Sequence, residues 1–174
     1  INNAVNGLMG LGIIESTSNH VTIQSMVDHS KFPMRPLLKR LCELASSMYE
    51  DALQALKDKD PSMATDIMHR KDEAKKIFWL TQRQLASAIL DKNVLKKIGL
   101  KGSSDLAFYR AVSSRMNSIA DSGSDIADNL LTLGKNRIKD ADLQNVMQLG
   151  KLAQEIISNA VSYTHLRAHE TVLD

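Results

Sequence analysis

Two sets of residues in this sequence have the types and spacing for chemistry, and both concern metal ions. Asn117, Asp121, Asp125 and Asp128 recur at steps of four and three, so on a helix they form one acidic stripe. Carboxylate oxygens so arranged can hold a hard divalent cation. Asp72 and Glu73, on an earlier segment, could add oxygens, although the helical pattern turns Asp72 away from that segment's apolar stripe. The plainer reading of the stripe is a solvated face or a partner-docking strip, and it is the reading adopted here. The second set is His165 and His169, four residues apart, which a helix would stack on one face as a metal-ligand pair.

Other candidates are weaker. His20 and His29 read as polar surface, and His69, beside Arg70, has no carboxylate or cysteine at ligand spacing. The sequence contains no nucleophile–base pairing, no Gly-rich phosphate loop and no Cys/His cluster. The expectation is therefore a protein that is not an enzyme and that carries no cofactor.

The elements that must position these residues are helices. With 174 residues, 43% of them hydrophobic and 24% charged, the chain is long enough for one ordinary domain with a real core. Leu, Ala, Lys and Asp are frequent and only three prolines and eight glycines interrupt them, a helical composition. The net charge of +2, with no basic cluster standing out, gives no sign of nucleic-acid binding. The single Cys42 excludes a disulfide framework and points to a reducing cytoplasm. No run of eighteen apolar residues and no signal peptide occurs, so no membrane insertion is expected. The opening Ile1, in place of Met, suggests a fragment whose true start lies upstream.

Residues 1–30 differ from the rest. Gly12–Ser16 and His20–Gln24 read as two short extended runs joined by Thr17-Ser18-Asn19, a β-hairpin lead that needs a partner element to be stable. A first helix is marked by Ser30 and Pro33, and Leu37, Leu38, Leu41, Leu44, Ala45, Met48, Tyr49, Ala52, Leu53 and Leu56 keep helical spacing to Lys57. Asp60-Pro61 then reads as N-cap and first helical residue of a second helix running to Leu90. Its stripe is Met63, Ile67, Ala74, Ile77, Thr81, Leu85 and Ala88, while Phe78 and Trp79 fit a bundle or dimer surface.

Asp91 to Gly102 reads as a polar connection. A third helix follows from Ser103 or Ser104 to Leu133, closed by Gly134, with the seam Tyr109, Val112, Met116, Ile119, Gly123, Ile126, Leu130 and Leu133. Ser113, Ala120, Gly123 and Ala127 would let a neighbour approach closely. A fourth helix starts near Asp140, and its apolar positions Leu143, Val146, Leu149, Leu152, Ala153 and Ile156 should fold back on the first three helices or pair with a second chain. Helices of thirty residues are about 45 Å long. The fold class is all-α: an elongated antiparallel three- or four-helix bundle with a hairpin lead.

An internal repeat supports this division. LCELASSMYEDAL at 41–53 lies on LGKLAQEIISNAV at 149–161, matching Leu41, Leu44, Ala45 and Met48 to Leu149, Leu152, Ala153 and Ile156. A second copy of the first helix thus follows a three-helix unit.

ASSMYEDALQALKDKDPSMATDIMHRKDEAKKIFWLTQRQL, residues 45–85, is similar to the first two helices of the PhoU family of phosphate-uptake regulators. FYRAVSSRMNSIADSGSDIADNLL, residues 108–131, is similar to that family's "ERIADHAxNIAE" helix, and GLGIIESTSNHVTIQ resembles the segment joining an AbrB-like domain to the helices in archaeal-type members. The resemblance implies two tandem three-helix repeats: 1–30 as the remnant of an upstream AbrB-like domain, 31–138 as the first repeat and 139–160 as the start of the second.

The same resemblance implies a cytoplasmic adaptor, expected as a homodimer, that restrains phosphate import and starvation signalling. It would act by contacting a phosphate ABC transporter component or a sensor kinase, and would touch DNA only through a missing upstream domain. It leaves two other readings: a metal-binding helical sensor bundle, and the ligand or oligomerisation part of a DNA-binding transcriptional regulator. Family members can hold a divalent or iron cluster on acidic motifs. Here the corresponding positions carry Lys71 and Lys75 around Asp72 and Glu73, and Asn117 before Asp121, so the motif is degraded. Arg83, in LTQRQL, resembles an arginine common in the family, with a structural ion pair expected over a phosphate contact.

The last fourteen residues have another resemblance. VSYTHLRAHET matches one reading frame of a transposase-type sequencing adapter, and the join falls where the second repeat breaks off. Residues 161–174 are therefore expected to be non-native, which removes the His165/His169 pair from consideration. Independently cloned genomic DNA should encode a continuing amphipathic helix after about Ala160; recovering VSYTHLRAHET from it would refute the adapter reading.

Overall fold

A computed structural model describes residue 5, residues 8–26, residue 28, and residues 31–134 and 138–170, excluding the side chains of 163–170. A two-stranded hairpin, β1 (Leu11–Ser16) and β2 (Val21–Ser25), precedes five helices: α1 (Met34–Asp58), α2 (Pro61–Leu90), α3 (Lys92–Lys97), α4 (Ser103–Leu133) and α5 (Asp140–Glu170). The chain is an all-α bundle with a β-hairpin lead, as its composition and periodicity require. Ser30, expected to mark the first helix, and His29 lie outside the described residues.

The connection between α1 and α2 follows from local chemistry. Lys59 adopts a left-handed φ of 56°, which lets the Asp60 N–H reach back to Ala55 O at 2.9 Å and satisfy a terminal carbonyl of α1. The Asp60 carboxylate then accepts from Ser62 N at 2.8 Å and Met63 N at 3.2 Å, capping α2, while Pro61 fills the first helical position, where no N–H is needed.

By proximity the chain forms two compact units, Ile1–Leu41 with Asp72–Ser114, and Cys42–Lys71 with Arg115–Asp174. In the first, β1 and β2 pair antiparallel with Ile13 opposite Ile23, and a bulge falls between Ile13 and Glu15. Thr17 N donates to His20 O at 2.7 Å and His20 N to Thr17 Oγ1 at 3.0 Å, closing the turn. The Arg83 guanidinium of α2 donates to Met9 O, tying the hairpin's lead to that helix.

A core of Met34, Leu85, Ala88, Ile98 and Leu100 closes the end of this unit, with Val94, Leu95, Leu106 and Tyr109 packed on it. The expected polar connection at 91–102 is therefore more than a linker. Asp91 caps α3 by accepting from Asn93 N, and the chain leaves α3 through Gly99 (φ 82°), whose backbone lets Leu100 N return to Leu95 O at 3.0 Å. That turn drops Ile98 and Leu100 into the core. Each side chain so buried contributes about 1.5–3 kcal/mol relative to exposure.

In the second unit the buried line of α4 runs through Met116, Ala120, Gly123, Ser124, Ala127 and Leu130, so the larger seam residues Ile119 and Ile126 are only half-buried. The small residues mark the nearest approach. A Cβ on Gly123 would lie 3.0 Å from the Met48 carbonyl carbon and oxygen and 3.1 Å from Tyr49 N. Helix α5 does fold back here, since a Cβ on Gly150 would meet the Leu53 methyl groups at 2.6–2.7 Å. The face that packs, however, differs from the expected one. Leu143, Met147, Gly150, Ala153, Gln154, Ile157 and Val161 are buried or half-buried, whereas Val146, Leu149 (68% exposed), Leu152 and Ile156 (69%) face outward. An apolar set spread over more than half a turn cannot all meet one neighbour.

The two glycines predict different costs. Gly123→Ala would push on main chain, which cannot rotate aside, and should destabilise by about 1–3 kcal/mol despite the better helix propensity of alanine. Gly150→Ala meets only the far end of a leucine and should cost less. Thermal unfolding of the two variants would show the order, and a Gly123→Ala protein as stable as the parent would refute the close packing.

Candidate functional site

The acidic stripe lies on α4 within the second unit. Asn117 Nδ2 donates to Asp121 Oδ2 at 2.9 Å, the i to i+4 amide–carboxylate pair that helical spacing allows. Asn117 Oδ1 is buried without a hydrogen-bond partner. Asp125 and Asp128 are exposed.

Asp72 and Glu73 belong to the first unit. Asp72 is exposed, and Glu73 is held by Arg40, whose Nη2 and Nε donate to Oε1 at 2.9 and 3.2 Å. This pair is about half exposed and contributes little to stability. Among the described residues, no group of three or more His, Cys, Asp or Glu lies close enough to hold a metal ion. The amide donor beside Asp121, the Arg40 clamp on Glu73 and the cationic Lys71 and Lys75 do not fit a metal cluster. His69 is exposed, and the side chains of His165 and His169 lie outside the described residues.

Sequence reasoning missed a polar contact in the second unit. Arg70 Nη2 donates to Asp51 Oδ2 at 2.6 Å and Nη1 to Ser47 Oγ at 3.3 Å, both partly buried, so α2 is pinned to α1 by a charge-assisted bond. No local spacing signals it, because its partners are 19 and 23 residues away. Arg83 differs from expectation too: its described partner is the Met9 carbonyl, not a carboxylate. Its Nε is buried without a hydrogen-bond partner, and desolvation pulls its pKa below the ordinary guanidinium value.

A groove of about 550 Å³ opens between α1 and α5 in the second unit. Tyr49, Ile157 and Val161 give it an apolar floor, with Glu43, Glu50 and Lys151 among the charged groups lining it. Val161 and Ser162 also line it, and they fall in the segment resembling adapter sequence. Trp79, paired with Phe78 at a ring separation of 5.2 Å, is half-exposed on α2 of the first unit.

The helices that carry these residues, α1, α2 and α4 with the short α3, coincide with one known domain. The PhoU domain family matches residues 38–130, more than half of the chain. The chain belongs to the PhoU family. Neither the curated proteins nor the solved structures gave a match. PhoU membership implies a role in regulating phosphate uptake, and PhoU regulators are generally non-enzymatic. No described helix is long and apolar enough to cross a membrane.

The side chains at the acidic positions predict weak metal retention. Purified protein should hold no stoichiometric iron, zinc or manganese after dialysis, because a lysine ammonium cannot ligate while charged and repels a cation. Elemental analysis finding two or more tightly held ions per chain would reverse this and favour the metal-sensor reading.

Proposed function

We propose that this PhoU protein is a cytoplasmic adaptor that restrains phosphate uptake and phosphate-starvation signalling when phosphate is sufficient, acting by protein contacts and not by catalysis. The match of the PhoU domain over residues 38–130 carries this reading. Its partner would be a component of a phosphate ABC transporter or a sensor kinase, and the working form a homodimer. The degraded acidic motif supports docking over metal sensing: with Glu73 clamped by Arg40 and Asn117 bonded to Asp121, Asp125 and Asp128 remain as a solvated strip for a partner.

The lead segment resembles the linker behind an AbrB-like domain, so an archaeal-type protein with a DNA-reading domain upstream is the architecture proposed for the whole molecule. Residues 139–160 would open its second repeat, and 161–174 would be non-native.

The test is genetic. In a host that lacks its own PhoU protein and takes up phosphate without restraint, expression should lower uptake in phosphate-replete medium and leave it high under starvation. Asp125→Lys combined with Asp128→Lys should weaken that restraint while leaving helicity unchanged. Uptake indifferent to expression of the full-length gene would refute the adaptor reading.

A further inference from the structure

The first unit holds a second surface that the phosphate-regulatory reading does not use. It carries twelve Lys and Arg against six Asp and Glu, a formal charge of +6, although the whole chain is only +2. The chain-wide total is thus misleading: acidic residues elsewhere in the chain offset a unit that is strongly basic by itself.

Part of that charge gathers at the end where α2 stops. Lys92, Lys96, Lys97 and Lys101 are all exposed within ten residues, and the connection is held compact by Gly99 N to Lys96 O and Leu100 N to Leu95 O, both 3.0 Å. The acids of this stretch serve the backbone: Asp91 accepts from Asn93 N and Asp105 from Lys101 N, each at 2.7 Å. The start of α1 comes to the same end, because Met34 N donates to Ile98 O at 3.0 Å and Gln84 Nε2 to Phe32 O at 2.6 Å. That adds exposed Lys31 and partly exposed Phe32.

Next to these cations in the chain stand two largely exposed aliphatic side chains. Ile89 is 61% exposed and Leu90 is 89% exposed, at the last two positions of α2. The core beneath is complete without them, since Leu85, Ala88, Ile98 and Leu100 already close it. Leaving aliphatic carbon in water is unfavourable.

We infer that this tip, Ile89 and Leu90 followed in the chain by Lys92, Lys96, Lys97 and Lys101 and with Lys31 at the same end of the unit, docks the protein on an anionic lipid surface. Nucleic acid would reward the lysines but not the aliphatic pair. An acidic protein would need a pocket shaped to receive two protruding side chains. A bilayer interface takes up aliphatic groups without shape complementarity and supplies anionic headgroups at the same depth as the lysines. No crossing helix is involved, and the contact is peripheral and reversible. It stands independently of the adaptor reading, because vesicle binding can succeed or fail whatever the protein regulates.

Co-sedimentation of the full chain with vesicles tests it. Phosphatidylcholine vesicles containing phosphatidylglycerol should retain the protein at low salt and release it as salt rises, and pure phosphatidylcholine vesicles should retain far less. Lys96→Gln with Lys97→Gln should weaken binding by about ten-fold or more, and so should Ile89→Ser with Leu90→Ser. Lys57→Gln with Lys151→Gln, the same charge change made elsewhere, should bind like the parent. All three pairs alter exposed side chains, so unchanged helical circular dichroism separates lost docking from lost folding. Equal retention by neutral vesicles, wild-type binding by the tip variants, or capture by immobilised poly-glutamate with no vesicle binding would each overturn the lipid reading.

Discussion

The approach of α4 to the main chain of α1 is the constraint on which the second unit depends. At Gly123 the two backbones come too close for any side chain, and the buried line of α4 is drawn through Ala120, Ser124 and Ala127 as a result. Helices that close leave little room for voids, so dispersion contacts accumulate along main chain as well as side chain. Ser124 fits because its hydroxyl donates to Ala120 O at 3.0 Å, leaving no polar group stranded in the buried line. Ile119 and Ile126 move to the flanks, half-buried.

Helix ends were legible in the sequence because they are decided locally. Asp60-Pro61, Gly134 and the Thr17–His20 turn each carry their own hydrogen-bond solution within a few residues. The apolar stripes of α1 and α2 were legible for the same reason, since one dominant face leaves no choice of side. Helix α5 was ambiguous because its apolar residues cover two adjacent faces, and only tertiary contact with Leu53 selects between them. The short α3 was not legible either: six residues are too few to show a period, and the burial of Ile98 and Leu100 depends on a core supplied by α1, α2 and α4.

At the candidate site the same division holds. The Asn117–Asp121 bond follows from helical spacing alone, and so does the stripe that Asp125 and Asp128 continue. What sequence spacing does not contain is the company those groups keep. The clamp of Arg40 on Glu73 and the pinning of Arg70 to Asp51 and Ser47 join residues 19 to 33 positions apart, and the first of them occupies Glu73, where a metal reading would look for free oxygens. Charge behaves likewise, since a chain-wide total hides a unit that is strongly basic.

Asp60 belongs to two helices at once. Its N–H closes α1 on Ala55 O, and its carboxylate opens α2 on Ser62 N and Met63 N. A shift of the main chain at residue 60 therefore disturbs the last turn of one helix and the first turn of the next together. Amide protons on either side of the turn should therefore open together, as expected of a folded hairpin of helices and not of two rods joined by a hinge.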